Sequence, residues 1–419
     1  MNSFEYIISG CSYLRIMFPE AYEEPESKEF ILKVLNEMQT KGNHHTFGML
    51  YNSWTEKTFG KVFKEQYKEA ISKIYCDSGG LQLITQGRSI TDVEKNQVYK
   101  NQADFGDIGF SFDEIPVSFS GAKSARLDLG NRWFDTNKFE DCAKLTGKNV
   151  ADQIKMFLDE KSTCKPLFIA QGNCLETYQR WTELALKEIP KEHHKYIAGV
   201  AMGAAALGHG RLEDIQRAFY FTQLPIDAAH NHMHLLAVGS VFRLLPNIVF
   251  IQNGVYKDIH ISYDSTTHSS GIHMGRTYLE DKNFEFPKHF NRPIWEKMYN
   301  NIIEHGFDTG LTLEEYHTSM NMASIKYKEK YGSRVPLIKA YVATTCAGIA
   351  NFINHAERCY TNKKELLKLA NTQKSHLIFK SLYNVKTLDD FRYWEKEIGR
   401  FVKSHSVQSS KKATLEDFF

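Results

Sequence analysis

Four residues combine reactive or hydrogen-bonding side chains with a repeated placement: Asp77, Asp113, Gln171 and Asp264 each close a short apolar run. Two carboxyl groups flanking a reacting carbon can divide the work of acid/base and nucleophile between them. A further carboxylate and an amide can then read the hydrogen-bonding edge of a bound molecule. Asp after a strand is also an ordinary turn residue, so the argument rests on four such positions falling in register.

The elements that must position them are eight apolar runs, at 6–9, 47–52, 73–77, 108–113, 166–171, 196–203, 234–239 and 259–264. Helix-like stretches such as 174–188 and 212–222 separate several of them. Strands alternating with helical patterns imply βαβ units, and eight units over this length predict an α/β (β/α)8 TIM barrel. A doubly wound open sheet is the alternative. In a barrel the C-terminal ends of all strands converge on one face, which would bring the four residues into one pocket. Beyond Gly275 the pattern turns helical, with helices expected at 293–305, 313–331 and 335–356. The predicted organisation is a barrel at 1–280, a mostly helical extension at 281–405, and a polar, flexible tail at 406–419. Residues 361–380 carry five Lys and one Glu, either a solvated helix face or phosphate contacts through Lys363, Lys364 and Lys368.

The 419 residues are 42% hydrophobic and 13% aromatic, which excludes disorder of the whole chain. With 52 basic against 50 acidic side chains the net charge is +2, which excludes nucleic-acid binding by bulk charge alone. A local basic groove remains compatible with it. The seven cysteines form no CxxC pair, so neither a disulfide framework nor a zinc ribbon is indicated. The N-terminal segment lacks a basic region followed by a sustained apolar core, and no run of 18 apolar residues occurs. The expected location is cytoplasmic (the host cytoplasm for a viral protein), with no membrane partner.

Asp77-Ser78-Gly79-Gly80-Leu81-Gln82 resembles the Asp-Ser-Gly-Gly-aromatic-Gln signature of the tRNA-guanine transglycosylases, (β/α)8 base-exchange enzymes. Five further landmarks follow in order. Phe112-Asp113-Glu114 is similar to the family's Phe-Asp-Glu, and Ala170-Gln171-Gly172 to its Val-Gln-Gly. The stretch 198–203 (AGVAMG) resembles Gly-Gly-Leu-Ala-Val-Gly, 235–239 (LLAVG) resembles Leu-Met-Gly-Val-Gly, and Tyr263-Asp264-Ser265 stands where the family has Phe-Asp-Cys. The resemblance covers roughly residues 70–275. It implies that Asp264 is a nucleophile that traps the sugar, and that Asp77 is the general acid/base. It further implies that Ser78, Asp113, Gln171 and the backbone of Gly199 and Val200 recognise a guanine-like base, with Leu81 and Leu236 against its faces.

The departures narrow the expectation. Where RNA-acting members carry Pro-Thr-Arg-x-x-Arg-x-Gly, this chain has residues 268–275 (HSSGIHMG), so Ser270 and His273 occupy the arginine positions. The family's CxCxxC…His zinc motif is missing; Cys346, His355 and Cys359 are the remaining candidates for a structural zinc. His230, His232 and His234 alternate along one run, as a polar strand start that brings His234 near the pocket. The final residues 412–419 (KATLEDFF) resemble the Gln-x-x-Leu-x-x-Phe-Phe peptide that docks on sliding DNA clamps, through Leu415, Phe418 and Phe419. Together these features point to the DNA-acting branch, which inserts 7-deazaguanines such as preQ0 into DNA, with no cofactor required. The alternatives are a divergent tRNA-acting enzyme, a catalytically inactive nucleic-acid-binding barrel, and a sugar hydrolase.

Overall fold

The computed structural model describes residues 2–10, 24–39, 44–80, 89–119, 132–203, 211–226, 231–372 and 376–409. Leu81, Leu415, Phe418 and Phe419 therefore lie outside the described residues, as does His230. Eight parallel strands form a closed barrel: β1 (Ser3–Ile8), β2 (His45–Asn52), β3 (Ile74–Asp77), β4 (Ile108–Phe110), β5 (Lys165–Ala170), β6 (Gly199–Met202), β7 (His232–Leu235) and β8 (His260–Ser265). They follow one another around the wall, and β8 closes on β1 in a register running from Ser3 opposite His260 to Ile8 opposite Ser265. All eight match the apolar runs, which makes the fold an α/β (β/α)8 barrel. Helices surround it and a helical C-terminal region follows.

Alternation along the strands sorts the side chains. Phe4, Tyr6 and Ile8 of β1 face outward into the large core shared with the helices, whereas Ile7 faces inward. Ile7 meets Tyr75, Ile108, Phe110, Leu167, Ile169 and Ala201 to fill the barrel interior. The same inward parity, carried to the strand ends, reaches Asp77 two residues after Tyr75, Gln171 two after Ile169, and Asp264 two after the buried Ser262. The apolar plug is thus the floor beneath the candidate residues.

The helices start at local signals. A capping box between Thr91 and Glu94 opens Asp92–Phe105, and another between Thr312 and Glu315 opens Leu313–Asn321. The helix Val335–Thr361 is long and apolar enough to cross a membrane by length and composition, yet 83% of its apolar window is buried inside the protein. Near its end Glu357 takes His44 and His45 at 2.6 and 2.5 Å, fastening the helix to the start of β2. Its apolar residues belong to the same core as the barrel's outer faces.

Three expectations about organisation are corrected. The border at 280/281 falls inside the turn of a hairpin, Arg276–Leu279 with Lys282–Glu285. Both turn residues, Glu280 and Asp281, have positive φ (52° and 63°), the geometry of a turn usually signalled by Asn-Gly. Here tertiary contacts hold it instead, through Lys297 to Glu280 and Arg358 to Asp281. The helix expected at 313–331 is two, Leu313–Asn321 and Ser324–Tyr331. The extended link between them folds Tyr327 back so that its hydroxyl accepts from Ser319. The tail is not separate at 406 either. The helix Leu388–Ser409 continues across that border as far as Ser409, anchored in the core by Phe391 and Trp394, and no Pro interrupts it.

The outer helices pack closely at Gly147 of Phe139–Asp159, where a Cβ would stand 2.2 Å from the carbonyl oxygen of Ala185 in Leu175–Lys187. In an exposed helix Gly→Ala stabilises. Here Gly147→Ala is expected to destabilise by about 1–3 kcal/mol, read as a lower denaturant midpoint at unchanged slope.

Candidate active site

The C-terminal ends of β3, β5 and β8 and the segment after β4 bring Asp77, Gln171, Asp264 and Asp113 to one face of the barrel. The three carboxylates are half-buried, while Ser78, Gln171 and His234 around them are buried. The site is therefore a partly sheltered recess.

Asp77 ends β3, and the chain turns at once through Gly79, whose φ of +86° suits glycine. Burial pushes the Asp77 carboxyl up to about 7, reinforced by the charges of Asp264 and Asp113 and opposed by the backbone N–H groups of Gly79 and Ser78. Asn52, at the end of the neighbouring β2, donates its amide to Asp77 Oδ2 at 3.2 Å. Asp77 is thus a carboxyl that exchanges its proton near neutrality, as an acid/base must.

β4 stops at Phe110, so Asp113 lies beyond the strand rather than at its end. Gln171 Nε2 donates to Asp113 Oδ2 at 2.7 Å, fixing both side chains. Burial raises the Asp113 carboxyl to about 6; the Gln171 bond opposes this and Glu114 adds to it. Gln171 Oε1 is buried against Gly203 with no hydrogen-bonding partner. Ser78 Oγ donates to the Ser111 carbonyl at 3.3 Å. A Cβ on Gly80 would meet both Asp113 Oδ1 (3.4 Å) and Ser78 Oγ (3.7 Å), so these two groups flank the same point.

Asp264 is held by its carboxylate and its backbone. Its Oδ1 accepts the Ala237 N–H at 3.1 Å and lies 3.4 Å from His234 Nε2, while its carbonyl accepts the Val238 N–H at 2.6 Å. Ala237 has φ +58°, in the left-handed region, at a position where the enzymes the sequence resembles carry glycine. Arg243, itself clamped on Asp214 by two bonds of 2.9 Å, donates to the Ala237 carbonyl and holds that conformation. Leu236 is half-buried and packs against the interior plug.

Other expected site residues lie elsewhere. Val200 faces outward into the helix core, and a Cβ at Gly199 would collide with the carbonyl and ring of His232. The close approach that Gly199 allows is therefore that of His232, inside the barrel. The residue beside Gln171 is Gly203, just after β6, where a Cβ would overlap the Gln171 amide (2.2 Å). Ser270 is buried in the short helix Thr267–Gly271, and His273 is exposed and bonded to Tyr341 at 2.5 Å. Lys363, Lys364 and Lys368 are exposed on the helix Lys363–Asn371, which starts just after Tyr360. Tyr360 packs on Phe4 and His44 at the N-terminal ends of β1 and β2, so Lys363 begins its helix at the face opposite the carboxylates. Cys346 and Cys359 are buried, and His355 Nδ1 is bonded to the Tyr278 hydroxyl at 2.7 Å. Among the described residues no group of three or more His, Cys, Asp or Glu is placed to hold a metal ion.

Asn52, Ala237, Ser262 and Gly203 enter the site or its support without having been singled out for those roles. Asn52 carried a readable signal, since it closes its run as Asp77 does.

Fold and site together define a (β/α)8 barrel with a carboxylate-lined recess at its C-terminal face. Compared with known proteins, the chain matches no family model and no curated sequence.

A buried carboxyl raised in the fold costs stability whenever it is ionised in the unfolded chain. Asp77→Asn is expected to be more stable than the native protein. Its advantage should grow as pH rises from about 4 to about 7, reach about 2–4 °C in Tm, and then level off. Thermal melts across this range check it.

Proposed function

We propose that this protein is a base-exchange glycosyltransferase that replaces guanine in DNA by a 7-deazaguanine, preQ0 or a relative, through a covalent aspartyl–sugar intermediate. The observation that carries the reading is the gathering of Asp77, Asp113, Gln171 and Asp264 in one recess, with Asp77 and Asp113 raised toward neutrality.

In the first half-reaction a flipped-out guanine enters the recess, with its amine and N1–H edge toward Asp113 and Ser78. Asp264 attacks C1′ as the C1′–N9 bond breaks. The bonding pair leaves with the base, and N9 takes the proton of Asp77. In the second half the Asp77 carboxylate removes the corresponding proton from the incoming deazaguanine. Its nitrogen attacks C1′, and the C1′–O pair returns to Asp264. The ester conserves the glycosidic bond energy, so no nucleotide or redox cofactor enters the balance.

DNA is favoured over tRNA by the segment 268–275. Ser270, at the first arginine position, is buried, and His273, at the second, is bonded to the Tyr341 hydroxyl, so neither position presents the guanidinium that RNA-acting enzymes carry there. A sliding clamp remains the proposed partner of Leu415, Phe418 and Phe419, and cytoplasm the proposed location.

The test is incubation with duplex DNA and labelled 7-deazaguanine, then digestion and mass spectrometry of the nucleosides. Label in deoxynucleosides is expected, with Asp264→Ala reduced by about 10³-fold or more. Guanine release should fall as pH rises through about 7, where Asp77 loses its proton, and base binding should fall below about 6, where Asp113 gains one. Label confined to tRNA overturns the DNA assignment, and exchange surviving in Asp264→Ala overturns the mechanism.

A further inference from the structure

A line of polar side chains runs down the barrel interior behind Asp264. His234 is fully buried, stacked on Tyr75 and edge-on to Phe110. Its Nε2 has no hydrogen-bonding partner but faces Asp264 Oδ1 at 3.4 Å. Its Nδ1 is 2.8 Å from Ser262 Oγ, and the same hydroxyl is 2.7 Å from Nε2 of the buried His232. A serine between two imidazole nitrogens has one proton to give, and that proton sets the direction of the whole line.

Given to His232, it requires His234 to carry its proton on Nδ1, and a neutral His234 then turns a bare Nε2 lone pair on a carboxylate. Given to His234 Nδ1, it leaves the His234 proton on Nε2, aimed at Asp264, and His232 completes the line by donating to Ser262. Only this second arrangement satisfies every member with neutral rings. Burial, with the nearby charges of His260 and Lys73, holds the His232 imidazole well below its ordinary value, so it enters the line neutral.

We infer that His232, Ser262 and His234 form a one-way donor line that positions Asp264, occupying Oδ1 together with the Ala237 N–H and leaving Oδ2 as the oxygen that attacks C1′. The inference rests on the exchange reading for its chemistry. Both donors then sit on the ester carbonyl of the intermediate, and their bonds strengthen as the C1′–Oδ2 pair returns and the carboxylate re-forms. A 3.4 Å approach in the free site leaves room for that tightening. His234 is a positioning residue, and its main effect falls on the second half-reaction.

Two measurements test this. Nitrogen-15 NMR of histidine-labelled full-length protein should find His234 protonated on Nε2 and bare on Nδ1; a proton on Nδ1 with a bare Nε2 overturns the proposal whatever the activity. In exchange assays His234→Phe, which keeps a buried ring but no donor, should slow release of the sugar from Asp264 by about 10–100-fold. The denaturation-resistant protein–DNA adduct should then accumulate while KM for the free base stays within about twofold. His234→Gln, which returns an N–H near Nε2, should recover part of the rate, and Ser262→Ala should fall between native and His234→Phe. Release at the native rate in both His234→Phe and Ser262→Ala overturns the positioning role alone. Absence of adduct and exchange in the native protein, with DNA and with tRNA, overturns the exchange reading instead, and the NMR result still decides the donor line.

Discussion

Closure of the barrel by β1 against β8 is the constraint on which the rest depends. It sets Ile7 opposite Asp264 and Tyr6 opposite Tyr263, and thereby decides which side chains of the last strand face inward. A slip of one residue would turn Asp264 and Ser262 into the helix layer and put Tyr263 into the barrel. The outward set resists that slip. Tyr6 and Tyr263 pack on Phe352 of the long C-terminal helix, and the Tyr6 hydroxyl donates to the Ser265 carbonyl at 3.1 Å. The aromatic packing outside the wall is what fixes the polar register inside it.

Among the described residues the barrel is charged at both ends and largely apolar between, and the histidine–serine line runs through that middle as a polar thread. Toward the base of that thread, Glu5 is buried beside His260, Tyr75, Ser72 and Lys73. Burial alone would raise its carboxyl, but the His260 bond and the Lys73 charge prevail and hold it at about 2. A permanently ionised Glu5 at one end and proton-exchanging carboxyls at the other show how the same side chain is set to opposite states by its neighbours. Structure is secured where donors surround the acid, and chemistry is available where they are few.

The sequence carried the barrel because its eight strands are short apolar runs, a pattern that follows from burial on both faces. It carried Asp77, Gln171 and Asp264 because strand parity and strand ends are local properties. Asp113 was legible as a residue but not as a position: β4 is three residues long, and the reach of Gln171 across from β5 sets where Asp113 ends up. Gly199 was expected to offer its backbone to a base, and its missing side chain makes room for His232, a choice made by the neighbouring strand. The Glu280–Asp281 turn was hidden for a similar reason, since distant Lys297 and Arg358 hold a conformation that the two residues do not favour. What depended on a partner strand or helix could not be read along the chain.

The grip of Glu357 on His44 and His45 has a consequence for how the protein is made. The contact spans 312 residues at His45, and β1 finds β8 only after some 257. During synthesis the first two strands therefore leave the ribosome long before either the strand that pairs β1 or the helix that covers it. Until then their edges and outward aromatic side chains are exposed to water and to other nascent chains. A fold whose ends are joined last is assembled late and as a whole, and its yield in the cell depends on how well that interval is shielded.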